Sequence, residues 1–175
     1  MTKAVTRNAG DGSISYSSSN TAIATVNSNG TVTGIAAGSC TITATIAATT
    51  NYNSASASYT LTVNHPTYNG YAYVDLGLSC KWAVCNVGAS SETGYGNYYV
   101  GNTDNPRSVM GGNWRLPTKD QFDELVNNCT CTWTSIGGVN GMKFSRNNRY
   151  VFFPAAGSGD DPSIIGIEGR YWSIT

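Results

Sequence analysis

Apolar and polar residues alternate along the first third of the chain. Ile14 and Tyr16, Ala24 and Val26, Ile42 with Ala44 and Ile46, and Tyr59 with Leu61 and Val63 each keep one face apolar, while Ser, Thr and Asn fill the other. A period of two marks strands with one buried face. Asn27-Ser-Asn-Gly30 and Ala37-Gly38 interrupt the alternation as tight turns do. Short strands separated by such turns predict an antiparallel sandwich with an uncharged surface rich in hydroxyls and amides.

The pattern changes after residue 70. YAYVDLGLSCKWAVCNVG reads as one or two strands, with Val74, Leu76, Leu78 and Cys80 on one face and Trp82 continuing it. A long Gly-, Asn- and Tyr-rich stretch follows, ASSETGYGNYYVGNTDNPRSVMGGN, which is read as loop and therefore as a place for binding. WRLPTKDQFDELVNNC then predicts the main helix. Thr118 caps it, Gln121 completes a capping box, and Asp120, Asp123 and Glu124 lie toward the positive end of the helix dipole. Phe122, Leu125, Val126 and Cys129 form the expected inward stripe. Strands are predicted around Trp133, around Met142 and Phe144, and through Tyr150–Phe153, with Arg146-Asn-Asn-Arg149 as the last hairpin turn. An acidic loop, GSGDDPSIIGIEG, precedes RYWSIT. One helix on several strands makes this half α+β.

Charge separates the same two regions. Asp11 is the last Asp, Glu, Lys or Arg before Asp75, and eight of the ten Lys and Arg come after that point. Two differently built domains are expected: residues 1–64, a short stiff junction at 65–70 around Pro66, and residues 71–175. Zero net charge without a basic stripe argues against nucleic acid as a partner. No apolar run approaches the roughly 20 residues that span a bilayer, and the first ten residues lack the apolar centre of a signal peptide.

Candidate chemistry is sparse. The one histidine, His65, sits in the junction, out of reach of a nucleophile. Asp160-Asp161 and Asp123-Glu124 read as solvated charge, because no apolar residues flank them. No catalytic residue is therefore assigned, and the chain is not expected to be an enzyme. No metal or cofactor is assigned either. Calcium is the one alternative, through Asn102, Asp104 and Asn105 or through Asp160 and Asp161, although no spaced Asp-rich loop supports it. The five cysteines are Cys40, Cys80, Cys85, Cys129 and Cys131, without zinc-knuckle spacing; Cys40 reads as a buried thiol, and the other four as inter-segment disulfides or small buried thiols. The expected ligand-binding residues are Tyr95, Asn97, Tyr98 and Tyr99 in the long loop and Asp160, Asp161 and Arg170 near the end, since exposed rings beside polar groups suit a glycan or a protein surface.

Two resemblances add to this reading. ISYSSSNTAIATVNSNGTVTGIAAGSCTITATIA resembles the bacterial Ig-like group 2 repeat, over about Gly12 to Val63, which implies an extracellular spacer or adhesion module. Few residues precede Gly12 to form that family's first strands, so the sandwich is expected to be incomplete there. YVDLGLSCKWAVCNVGA, GGNWRLPTKDQFDELVNNCTCTWT, GVNGMKF, VFFPAAG and GRYWSIT, in that order, resemble the Fibrobacter succinogenes major paralogous domain, a C-type-lectin-like fold also similar to the sulfatase-modifying enzymes. That resemblance implies long irregular loops on a helix and a small sheet, truncated at the C-terminus. The late cysteine pair of the sulfatase-modifying oxidases has no counterpart after Cys131, so the likeness implies architecture without that activity. The family pattern has cysteines matching Cys85 and Cys129, with an aliphatic residue at 80 and an aromatic one at 131, which implies a Cys85–Cys129 bridge; the two extra thiols here, Cys80 and Cys131, are expected to form a bridge of their own if the 80s strand lies beside the end of the helix. The resulting expectation is an exported surface protein in which an Ig-like stalk presents a lectin-like domain to a glycan or surface protein; the alternatives are a purely structural surface repeat and, behind it, an enzyme of the sulfatase-modifying type.

Overall fold

The computed structural model describes residues 10–99 and 105–174. The chain divides into two compact units, Met1–His65 and Pro66–Thr175.

The first unit is all β. Strands β1 (Ile14–Ser18), β4 (Gly38–Ile46) and β5 (Ala55–Val63) form an antiparallel sheet in the order β1-β4-β5, and β2 (Ala24–Val26) pairs with β3 (Val32–Gly34). Ile42 stands opposite Ser18 and Tyr59, and Thr43 opposite Ser17 and Ser58. One face therefore carries Cys40, Ile42, Tyr59 and Leu61 into a core with Ala24 and Val32, and the opposite face is hydroxyl-lined. The β2–β3 turn is held by Asn27, whose Oδ1 accepts from Asn29 N and Thr31 N at 3.0 and 2.9 Å. Gly30 closes it at φ 75°, with the Tyr16 ring where a Cβ would stand, so the position needs glycine twice over. The expected shortage of strands before Gly12 concerns residues outside the described ones, apart from Gly10 and Asp11.

The second unit begins earlier than the sequence suggests. Thr67 and Tyr68, read as junction, form β6 (Thr67–Tyr68) and pair with β7 (Tyr71–Val74) through an Asn69-Gly70 turn with both φ values positive. β8 (Trp82–Ala83) completes this small sheet. Residues 75–81, read as part of an alternating strand, form an irregular turn in which Asp75 Oδ1 accepts from Gly77 N at 2.9 Å. The alternation still marks burial, because Leu76, Leu78 and Cys80 all pack into the core.

The second sheet is β11-β10-β9, built from β9 (Thr130–Ile136), β10 (Val139–Arg146) and β11 (Arg149–Pro154). Asn147 and Asn148 turn its last hairpin at φ 53° and 60°, as the Arg-Asn-Asn-Arg signal predicts. Helix α2 (Lys119–Asn128) has the predicted capping box: Thr118 Oγ1 accepts from Gln121 N, and Gln121 Oε1 accepts from Thr118 N. Thr118→Ala removes one arm of that box and is expected to cost about 1 kcal/mol. Urea unfolding followed by indole fluorescence measures it.

Three features differ from the sequence reading. Leu125 is fully buried and Phe122 and Cys129 pack against the core, but Val126 is 53% exposed, because α2 leaves its flank uncovered. Glu124 is not merely solvated: its carboxylate accepts from the backbone N and hydroxyl of Ser79, tying the 75–81 turn to the helix. A second helix, α1 (Asn105–Met110), lies inside the stretch read as loop. Its C-terminal carbonyls are met by the β6–β7 hairpin, with Asn69 Nδ2 donating to Met110 O and Tyr71 OH donating to Val109 O.

All five cysteines are free thiols, so neither the Cys85–Cys129 nor the Cys80–Cys131 bridge is formed. Cys131 is exposed on edge strand β9, its Sγ directed to the carbonyls of Val126 and Cys129 at 3.6 and 3.7 Å, while Cys80 and Cys129 pack against the core.

Candidate functional site

Phe153, partly buried, packs against the second unit's core and is the shared member of an aromatic cluster. Its ring lies 5.7 Å from Trp82, 6.0 Å from Phe122, 5.4 Å from Phe144 and 4.9 Å from Tyr171, centroid to centroid. The pairs with Trp82, Phe144 and Tyr171 are edge-to-face, an arrangement that fixes ring orientation as well as burying area. On one side this cluster opens into a cleft of about 1510 Å³, lined by β8, β11, the loop residues 95–99, the segment 113–117 and residues 170–172. That volume exceeds the roughly 300–1,000 Å³ usual for small-molecule pockets.

Several aromatic residues line the cleft, and five of them use their polar ends inside the protein. Tyr98 OH donates to Ala156 O, and Tyr171 OH donates to Pro154 O at 2.7 Å. Trp172 Nε1 donates to Tyr99 O and Trp114 Nε1 to Tyr68 O, both at 3.2 Å. Tyr68 OH in turn accepts from Asn113 N at 3.3 Å. Anchored at these atoms, Tyr68, Tyr98 and Trp172 remain 43%, 49% and 50% exposed, so ring surface is what they leave available.

The loop that carries Tyr95–Tyr99 is held mainly by Asn86. Its Nδ2 donates to Tyr95 O at 3.0 Å and to Tyr171 OH at 3.1 Å, and Asn97 N donates to Val87 O at 2.9 Å. Nearby, Tyr150 OH donates to the Glu92 carboxylate. Burial and the adjacent Glu92 charge push the Tyr150 hydroxyl up to about 12. Burial, with a smaller contribution from neighbouring Tyr98, raises Tyr171 to about 12, against the opposing Asn86 bond.

Of the residues singled out in the sequence, Tyr95, Asn97, Tyr98, Tyr99, Asp160 and Arg170 all line this one cleft. Arg170 is paired with Glu168 at 2.7 Å. Asp161 lies apart from the lining: its Oδ1 accepts from Ser163 N at 3.0 Å and caps the 3-10 turn Pro162–Ile164, and these Ser163 bonds hold its carboxyl below the usual range. Asn102 and Asp104 lie outside the described residues, as does the Asn105 side chain. Among the described residues, no group of three or more His, Cys, Asp or Glu stands together as a metal site.

Sequence reasoning missed Tyr68, Trp82 and Trp114 as lining residues. Tyr68 was hidden by its assignment to the junction, and Trp114 by its place in the helix approach. Cys80 and Cys85 also line the cleft, where burial pushes both thiols up; Arg115 opposes this at Cys80, while Glu124 reinforces it, and Glu92 adds to it at Cys85. Both are thus protonated at neutral pH, the reverse of an activated nucleophile.

No curated protein and no solved structure matches the chain. Residues 2–55 match the model of the bacterial Ig-like domain (group 2), so the first unit contains a domain of that family.

Proposed function

We propose that the chain is a non-enzymatic, exported binding module: the Ig-like unit is a spacer, and the second unit takes a glycan or surface protein in its aromatic cleft. The observation that carries this reading is the set of half-exposed rings, Tyr68, Tyr98 and Trp172, whose polar ends are committed to backbone partners. Rings fixed in this way lose little entropy on binding, which favours recognition over chemistry. A surface location agrees with the Ig-like domain at residues 2–55. The C-type-lectin-like likeness of the second unit belongs to the same proposal and supplies a precedent for loop-borne recognition.

The test is binding of the whole chain to glycan arrays and to a panel of purified cell-surface proteins. Tyr98→Ala with Tyr99→Ala is expected to abolish a hit seen with the parent chain. Binding unchanged by both substitutions, or no binding to any array member, favours a purely structural surface repeat.

A further inference from the structure

We infer that β9 is an interaction edge that takes a second copy of this chain, the two β9 strands pairing antiparallel across a two-fold axis at Trp133. The sheet β11-β10-β9 leaves β9 with a neighbour on one side only. Which of its main-chain groups face outward follows from one hydrogen bond. Ala155 N donates to Asn140 O at 2.7 Å, so Asn140 turns its main-chain polar groups toward the β11 side. Successive residues of a strand turn them to opposite sides, and Gly141, Lys143 and Ser145 therefore serve β9 through Thr134, Thr132 and Thr130. Cys131, Trp133 and Ser135 are left with N–H and C=O groups directed away from the sheet. Among the described residues, no main-chain bond from elsewhere in the protein reaches them.

The two edges of this sheet are built differently. On β11, Pro154 stands opposite Gly141 and so takes an outward position, where it has no N–H, and its carbonyl already accepts from Tyr171 OH. β9 has no proline, no ionisable side chain and no break in its register, the devices that ordinarily keep edges from pairing. It also exposes apolar surface. Cys131 and Trp133 stand opposite Phe144 and Met142, on the face that carries Phe144 into the core, yet α2 does not cover them: Trp133 is 50% exposed, and Cys131 and Val126 are exposed as well. Cys131 Sγ lies 3.6 Å from Val126 O, which joins the helix flank to the strand. β5, an uncharged edge of the first unit, exposes no large apolar side chain.

A second copy supplies the complement. Antiparallel self-pairing centred on Trp133 sets Trp133 against Trp133, Cys131 against Ser135 and Thr132 against Thr134. All three outward residues then exchange both hydrogen bonds with a counterpart, about six bonds in total. Aromatic and Thr pairs are stabilising cross-strand combinations, and no like charges meet. Because β11 is blunted, the contact closes as a two-fold dimer and does not grow into a stack. One strand pair and its flanking side chains cover less than the ~1,200 Å² of a standard interface, so the dimer is weak, with a dissociation constant on the order of tens of micromolar.

The experiment is sedimentation equilibrium of the whole chain at about 5 to 500 μM, with a thiol reductant that excludes a Cys131 disulfide. The mass is expected to climb from 18.4 kDa toward twice that value. Trp133→Lys places two cations at the axis, and Ser135→Pro removes an outward N–H without touching the β10 ladder; each raises the dissociation constant by about tenfold or more. Should one variant lose its dispersed amide spectrum, the other carries the comparison. Amide hydrogen exchange locates the contact, since the N–H groups of Cys131, Trp133 and Ser135 slow with rising concentration if β9 pairs with β9. A chain that stays monomeric throughout, or a dimer that the folded variants retain unweakened, overturns the inference. So does a dimer in which those three amides exchange unchanged, because the interface then lies elsewhere.

Discussion

Phe153→Ala is expected to lower the stability of the second unit by about 3–5 kcal/mol, the usual cost of removing a packed aromatic side chain. Four rings lose their common neighbour at once, since Trp82, Phe122, Phe144 and Tyr171 all pack on Phe153. A domain of this size has about 5–15 kcal/mol in hand, so the loss is a large part of the total. All four tryptophans follow residue 66, which makes indole fluorescence a selective reporter of this unit. In urea, the fluorescence midpoint should fall sharply for Phe153→Ala and less for Phe153→Leu, which retains part of the packed volume. A midpoint close to that of the parent chain would mean that the cluster does not hold the unit together.

The second large effect is alkaline. Tyr171 is raised by burial from 10.0 to about 12, so its folded pKa lies above its unfolded one. The unfolded chain then releases the proton first. Stability is therefore complete below pH ~10 and falls as pH climbs toward about 12, by roughly 2–3 kcal/mol across that window. Tyr150, raised by burial and by Glu92, moves in the same direction. Ionisation at Tyr171 also removes its donation to Pro154 O. Tyr171→Phe should flatten the decline between pH 10 and 12 in urea titrations, at some cost to stability at neutral pH from the lost Asn86 and Pro154 bonds. An equally steep decline in that variant would place the titration elsewhere.

What the sequence discloses follows from how local each signal is. The α2 cap, the Asn27–Gly30 turn and the Arg146–Arg149 hairpin are specified by neighbouring residues, and each forms as predicted. The strands of the first unit are equally legible, because every buried position alternates with Ser or Thr. Helix α1 escaped because six residues are too few to display a helical period, and its end is secured by Asn69 and Tyr71 from a distant hairpin. The 75–81 turn was hidden for a related reason: Leu76, Leu78 and Cys80 keep strand-like burial although Glu124, 45 residues away, holds the turn in place. Val126 satisfied the helical stripe, but the width of the covered face depends on the partner sheet, which a helix's own sequence does not encode.

The candidate site was partly visible on the same terms. A loop dense in tyrosine announces itself, so Tyr95, Tyr98 and Tyr99 could be named from the sequence, and all three line the cleft. Trp82 and Tyr68 join them only through tertiary packing. Trp82 follows the apolar alternation and reads as ordinary core; its unpaired N–H exists only in three dimensions. Asp161 shows the converse, an acidic loop residue whose carboxylate is already committed to its own backbone turn.

On the proposed function, the aromatic cleft of the second unit is where a ligand is held. A crystal structure of the whole chain with its strongest binder from the arrays or the protein panel tests it most directly. The predicted result is ligand seated against the exposed faces of Tyr98 and Trp172, with the remainder of the cleft filled. Ligand bound on the hydroxyl-lined sheet of the first unit, or on the outer surface of the second with the cleft empty, would contradict it.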